Sequence, residues 1–381
     1  MGRYLLTFVV AALIALLTTP LVRRLALSVG AVAEPGGRHL HQGRVPRLGG
    51  LAVLAGGLGA LGLAAMSGVA LSELLATFGW HSGWLLAGAL TVAAVGAVDD
   101  IVGLGPLAKL SFQILAGVMA LAGGYGFQAV TNPLTGGVVD FGLLGPLVTL
   151  AWVVGVTNAF NLIDGLDGLA AGVGLIASLT LVAVSLIEQR PDAALLASAL
   201  AGALAGFLYF NFNPARIFLG DSGSLLLGYA LAVLSIQSLQ KGTTTVLIIV
   251  PLLALGLPLM DTILALLRRG VMNGALLRAD ASHIHHRLLL RGLSHRRAVL
   301  VLYAVCVALG GLAFLAVAAR GKVDVFIIGA VVVATFAGVR WLRGNAAERF
   351  AAAAPGDMAR PLDRDRGADA AGTSARCREP N

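Results

Sequence analysis

The sequence predicts an all-α, polytopic membrane protein, a transmembrane helical bundle of about eleven spans. Of its 381 residues, 58% are hydrophobic and only 12% charged. The mean hydropathy is +0.88, too apolar for a water-soluble domain of this size. Apolar runs of roughly 20 residues, enough to cross a hydrocarbon core of about 30 Å as a helix, recur along the chain. Runs such as Leu85 to Val98 do not alternate apolar with polar positions, which excludes barrel strands.

In chain order the expected spans are residues 4–22, 49–67, 82–99, 107–123, 143–159, 166–187, 194–211, 223–240, 244–267, 298–319 and 323–342. The first follows Arg3, precedes Arg23 and Arg24 and lacks a small-residue cleavage site, so it reads as a retained span and not a signal peptide. Between the fourth and fifth, the turn signals Asn132-Pro133 and Gly136-Gly137 suggest a small external hairpin within Gly124 to Gly145. Residues 1–342 form the expected transmembrane domain. Residues 343–381 mix Ala, Gly, Pro, Asp and Arg without period and read as a disordered cytoplasmic tail.

An odd number of spans puts the termini on opposite faces. The odd-numbered loops carry Arg23, Arg24, Arg38, Arg44, Arg47, Arg268, Arg269, Arg278, Arg287, Arg291, Arg296 and Arg297, while the other face has only Arg190, Lys241, Arg320 and Lys322. The positive-inside rule therefore places the N-terminus outside and the odd loops and C-terminus in the cytoplasm. The same bias accounts for the net charge of +8 without a nucleic-acid partner. Two cysteines, Cys306 in an apolar run and Cys377 in the tail, make no disulfide framework.

Acidic residues gather at the cytoplasmic edge. Asp99 and Asp100 end the third span, Asp164 and Asp167 lie in the fifth loop, Asp221 in the seventh, and Asp261 near the inner end of the ninth span. An ionised carboxylate within the bilayer costs roughly 3 kcal/mol or more, so acids flanking apolar spans need a reason. In the segment Asn158-Ala-Phe-Asn161-Leu-Ile-Asp164-Gly-Leu-Asp167-Gly168, amides and carboxylates recur every third residue. That spacing gives one face if the segment is helical; the plain alternative is a polar helix–turn–helix with an Asp cap. In Asn211-Phe-Asn213-Pro-Ala-Arg216-Ile-Phe-Leu-Gly220-Asp221-Ser-Gly-Ser224, Asp221 opens the eighth span. It could cap that helix, or ligate a cation that bridges phosphates at a helix N-terminus.

The ninth loop carries Asp280-Ala-Ser-His283-Ile-His285-His286-Arg287 among further arginines. A zinc site and a solvated basic loop are alternatives there, but histidines beside arginines suit an anionic phosphate better. The first loop, Pro35 to Gly50, holds Arg38, Arg44 and Arg47, which topology alone would explain.

Taken together, Asp99-Asp100, the Asn158–Gly168 segment, Gly220-Asp221-Ser-Gly-Ser224 and His283-Ile-His-His-Arg287-Leu288 resemble, in order, the motifs of the polyprenyl-phosphate N-acetylhexosamine-1-phosphate transferases, the glycosyltransferase 4 type that includes the MraY, WecA and TagO enzymes. The resemblance spans roughly residues 30 to 292. Ile284 interrupts the run of three histidines usual in the muramyl-pentapeptide branch, so the chain looks more like the WecA and TagO branch. Ala33 and His39 depart from the usual acidic and basic residues of the first loop, and Ala275 to Arg278 from the usual Ser-Pro-containing stretch.

The resemblance implies a multi-pass enzyme of the cell membrane with a site facing the cytoplasm. Its partners would be a UDP-N-acetylhexosamine, with N-acetylglucosamine favoured, and a polyprenyl phosphate such as undecaprenyl phosphate; a homodimer is compatible with it. It implies Mg²⁺, with Mn²⁺ as the alternative, held by Asp221 and the amide oxygen of Asn161. Asp99 and Asp100 would sit against the lipid phosphate, and Asn158, Asp164, Asp167, Arg216, His283, His285, His286 and Arg287 against the nucleotide-sugar. Without a well-placed Cys, Ser or Lys nucleophile, a one-step in-line attack is expected, with a covalent aspartyl-phosphate route through Asp221 as its rival. The readings set against it are the muramyl-pentapeptide transferase and an ion-coupled transporter; for the transporter, the acids lie at one edge and not at the midplane.

Overall fold

A computed structural model of the chain describes residues 1–33, 45–66, 71–131, 137–238, 249–271, 283–319 and 324–343. The main helices are α1 (Gly2–Ser28), α2 (Gly49–Met66), α3 (Leu71–Val102), α4 (Pro106–Ala122), α5 (Gly145–Ile163), α6 (Leu169–Ile187), α7 (Pro191–Asn211) and α8 (Gly220–Gln237). They are followed by α9 (Ile249–Ala254), α10 (Gly256–Val271), α11 (Ile284–Leu290), α12 (His295–Ala318) and α13 (Asp324–Arg343). Among the described residues, seven helices are long and apolar enough to cross a membrane, and two shorter apolar helices, Pro106–Ala122 and Gly256–Leu266, accompany them. The protein is an all-α polytopic membrane protein, as the apolar runs require. The tail expected to be disordered lies, beyond Arg343, outside the described residues, as does Asp280.

Helix α8 is the axis of the bundle. From Ser222 to Gln237 every residue but Ala230 is buried, and α2, α3 and α5 pack around it. Enclosure by protein lets this helix carry Ser222, Ser224, Tyr229 and Ser235, polar groups that lipid would penalise. Small residues bring the outer helices close: a side chain at Gly202 or Gly206 on α7 would run into the backbone of Phe8 or Ala12 on α1.

The ninth span, expected to be continuous over 244–267, is broken. Helix α9 ends at Ala254, and α10 starts at Gly256. Pro258 has no N–H to offer the Ala254 carbonyl, so the ladder is interrupted one turn before the proline. The hairpin between the fourth and fifth expected spans is present, with β3 (Ala129–Thr131) antiparallel to β4 (Val138–Asp140) and Val130 opposite Val139, while residues 132–136 lie outside the described residues.

The first loop does more than the sequence suggests. Strand β1 (Val32–Ala33) pairs with β2 (Val45–Pro46), and the chain then runs alongside the approach to α8. The Pro46 carbonyl accepts the Phe218 N–H at 2.8 Å, the Gly49 N–H donates to the Phe218 carbonyl at 3.0 Å, and the Gly50 N–H to the Leu219 carbonyl at 2.9 Å. Between them Leu48, 2% exposed, has φ +76°, a left-handed conformation that costs a bulky side chain of order 1–3 kcal/mol.

This docking needs a glycine at 50, where a Cβ would enter the backbone of Ser222 and Gly223. Gly57, on the same helix, has nothing within 4 Å of such an atom. Gly50→Ala is therefore expected to lower the thermal midpoint of detergent-purified protein by several degrees or to abolish folded yield, since overpacking costs about 1–3 kcal/mol. Gly57→Ala should leave the midpoint unchanged or raise it slightly, helix propensity favouring Ala. Equal midpoints for the two variants would show that the loop is not docked in this way.

Candidate active site

The site is built at the N-terminus of α8. A helix start leaves backbone N–H groups without partners, and here the cap comes from another helix. One oxygen of the Asp100 carboxylate, on α3, accepts the Asp221 N–H at 2.9 Å and the other the Ser222 N–H at 3.1 Å. Gly220, at φ +73°, lets that carboxylate approach, since a Cβ there would meet it. On the next turn inward, Gly96 lets α3 touch the Asp221 backbone. The two adjacent aspartates therefore divide: Asp100 holds a helix, and Asp99 faces elsewhere.

Asp99 accepts the Leu104 N–H at 2.7 Å and meets Lys109, whose Nζ lies 3.3 Å from Asp99 Oδ2 and 2.9 Å from Asp221 Oδ2. Lys109, from the first turns of α4, thus joins two carboxylates 122 positions apart in sequence. The sequence reading passed over this residue because it falls inside an apolar span. A lone cation within a 17-residue apolar helix, placed ten positions after Asp99, is the signal that could have found it. As an ion-paired ammonium it serves as a fixed positive charge and not as a nucleophile.

Below this bridge lies an open cavity of about 160 Å³ walled by Arg47, Asp100, Asp164, Asp167, Gly220 and Asp221, among others. Helix α5 runs past its expected end to Ile163, so Asn158 and Asn161 are helical while Asp164 to Gly168 form a turn ended by Gly168 at φ +79°. The Asn161 amide donates to Ser224 Oγ at 2.9 Å and lies against Asp221. Asn158 is interlocked with Gln113 of α4, donating to its Oε1 at 2.6 Å, and does not wall the cavity. The regular spacing of three thus does not produce one common face. Burial, and then the charges of Asp221, Asp100 and Asp167, hold the Asp164 carboxyl well above the usual carboxylate range, with Arg47 opposing them.

Asp167 is 3% exposed and accepts the Asn213 side-chain amide and the Ala215 N–H, each at 3.0 Å, tying the fifth loop to the seventh. Helix α12 backs both loops: the Tyr303 hydroxyl donates to the Gly168 carbonyl at 2.5 Å, and Arg296 Nε to the Asn213 carbonyl at 3.0 Å. Arg216 is exposed on the seventh loop, outside the cavity wall.

The histidine segment forms α11 and its cap. Asp261, which the sequence left without a role, accepts the Ile284 N–H at 2.8 Å through one oxygen and meets His283 Nδ1 at 2.8 Å through the other. It seats the helix and fixes the first histidine together. The His283 and His285 rings stack at 5.7 Å, and His286 lies 4.3 Å beyond. His285 reaches the turn beside Asp164, since a Cβ on Gly165 would come within 2.6 Å of its Nε2. Arg287 is half-buried on the same helix.

The surroundings of His285 make a pH test. Burial first, and then the neighbouring His286, push its imidazole down to about 3 from 6.5. The folded protein therefore binds fewer protons than the unfolded chain, and this contribution is complete above about pH 6.5 and lost as the pH falls toward 3, by up to about 1.4 kcal/mol per unit. Thermal midpoints measured from pH 7.5 to 5 should fall for the wild type and fall less steeply for His285→Gln. Parallel slopes would remove His285 as the source.

Comparison with known proteins places this geometry in context. Residues 82–239, from α3 through α8, match the model of glycosyl transferase family 4. A relative from Bacillus subtilis (strain 168), named as a probable undecaprenyl-phosphate N-acetylglucosaminyl 1-phosphate transferase, is 36% identical over 305 residues, covering 80% of this chain and 82% of its own length. A decaprenyl-phosphate N-acetylglucosaminephosphotransferase from Mycobacterium tuberculosis (strain CDC 1551 / Oshkosh) is 37% identical over 317 residues, 77% of each chain. A phospho-N-acetylmuramoyl-pentapeptide-transferase from Moorella thermoacetica is 34% identical over 332 residues, 81% of this chain and 98% of its own.

Proposed function

Because this chain belongs to glycosyl transferase family 4, we propose that it transfers N-acetylglucosamine 1-phosphate from UDP-N-acetylglucosamine to a polyprenyl phosphate, releasing UMP and leaving a lipid diphosphate sugar. The observation that carries the reading is the Asp99–Lys109–Asp221 bridge over a carboxylate-walled cavity at the end of an apolar bundle. Such a place can bring a membrane-held phosphate against a water-borne nucleotide. The Bacillus and Mycobacterium relatives, with N-acetylglucosamine in their names, favour that sugar over the muramyl donor. The positive-inside bias of the sequence supports a cavity that faces the cytoplasm, where a UDP-sugar is met.

The reaction exchanges one diphosphate bond for another. An oxygen of the lipid phosphate attacks the sugar-bearing phosphorus, and the bridging P–O bond to UMP breaks. The acceptor needs little help from a base, because a phosphate monoester with a second pKa near 6 is mostly dianionic at pH 7. Asp100, with both oxygens on the α8 backbone, acts by positioning. Asp99 keeps Lys109 in place, and the Lys109 ammonium offers fixed positive charge where negative charge gathers on the phosphoryl oxygens. Asp164 and the loop held by Asp167 border the nucleotide side, and the stacked histidines and Arg287 close it.

Among the described residues no group of three or more His, Cys, Asp or Glu is assembled for a metal. The Asp221 carboxylate with the Asn161 amide beside it nevertheless suits Mg²⁺, which commonly takes one or two carboxylates and completes its shell with substrate oxygens and water. When bound there, Mg²⁺ (or Mn²⁺) would supply charge shielding for the diphosphate and for departing UMP.

The test is turnover by detergent-purified protein given Mg²⁺, undecaprenyl phosphate and a panel of UDP-sugars, read as UMP and lipid product. UDP-N-acetylglucosamine is the expected donor. Asp221→Asn and Lys109→Ala should each lower kcat by about 10²–10³-fold with the melting curve retained, the scale of losing one well-placed electrostatic group. UMP from no sugar would overturn the assignment, and a trapped phosphosugar–enzyme adduct would overturn the one-step route.

A further inference from the structure

We propose that Arg47 is a substrate-contact residue of this reaction, its guanidinium gripping the phosphates of the nucleotide-sugar from the first loop. The inference rests on the proposed function and adds a residue to it.

Charge is the first ground. The polar wall of the cavity consists largely of the carboxylates of Asp100, Asp164, Asp167 and Asp221, and Arg47 is the only basic residue among the described ones that line it. A diphosphate entering such a wall meets negative charge, above all at Asp221, and needs a cation to offset it. Lys109 is already shared between Asp99 and Asp221. Among the described residues the Arg47 guanidinium, by contrast, makes no hydrogen bond or ion pair. A planar fork of donors, uncommitted beside four acids, is suited to bidentate capture of a phosphate.

Backbone is the second. The Arg47 N–H is bonded to the Ala31 carbonyl at 2.9 Å, and its neighbours Pro46, Gly49 and Gly50 are bonded to the Phe218–Leu219 segment leading into α8. The left-handed turn at Leu48 follows directly. The cation is therefore anchored to the same helix start that carries Asp221, at a conformational cost that an ordinary solvated loop arginine would not require.

Binding without turnover separates this inference from the function beneath it. The affinities of UDP-N-acetylglucosamine, in the absence of lipid acceptor, and of uridine are compared for wild type, Arg47→Ala and Arg47→Gln. Both variants should lose about 10- to 100-fold for the donor, the effect of a charged hydrogen-bonding pair, with uridine changed less than twofold. In turnover the donor KM should rise while the KM for lipid phosphate stays within twofold. Either variant, once its melting curve shows it folded, carries the test. Donor affinity equal to wild type, or an equal loss for uridine, would overturn the role of Arg47. A wild type that binds no UDP-sugar would instead overturn the functional reading.

Discussion

The structure depends on a carboxylate from one helix capping the start of another. Helix α8 begins at the wall of the cavity, and Asp100 satisfies two of its free N–H groups. Hydrogen bonds from backbone amides to a charged acceptor contribute about 1.5–3 kcal/mol each. Without that cap, α8 could not start where it does, and the place of Asp221 depends on that start. The glycines at 50, 96 and 220 are the steric counterpart of this cap, each removing the side chain that would keep α3 or the first loop at a distance. Consecutive residues on a helix point about 100° apart, which is why Asp99 is left to face Lys109 while Asp100 faces α8.

The same device recurs. Asp167 accepts a backbone N–H from the seventh loop, and Asp261 one from the start of α11. Buried acids thus staple loops that would otherwise be independent, and α12 braces two of those loops through Tyr303 and Arg296. Asp100 and Asp261 use both carboxylate oxygens, Asp261 seating the backbone with one and His283 with the other, whereas Asp167 takes both of its donors on a single oxygen. The acids that looked alike in sequence divide into those that build the site and those, Asp99, Asp164 and Asp221, whose carboxylates remain beside the cavity or its cation.

That division explains what could be read from the sequence. Hydropathy carries the fold, because a helix in lipid must be apolar along its length, and the one-sided acids mark the site because lipid penalises charge everywhere else. Pro258 stood in view inside the ninth span and could have announced the break at Leu255. The partners could not be read, since the Asp100 cap crosses 121 positions and no local pattern encodes it. Lys109 was hidden by the apolar residues around it. Arg47 was hidden by company, being one of a dozen loop arginines that topology explains equally well.

A cavity with this balance of charge constrains how anionic substrates enter. Asp164 resists ionisation because it is buried and because Asp221, Asp100 and Asp167 add negative charge around it. Adding a diphosphate alone would worsen that repulsion, and adding a divalent cation alone would leave its outer ligands to water. On the proposed function, a diphosphate and a divalent cation arriving together would each lower the cost of the other, a positive coupling that is reciprocal by linkage. On that reading Lys109, bound to its acids, and Arg47, its guanidinium without a hydrogen bond or ion pair among the described residues, would seat the phosphates at the two sides of the exchange.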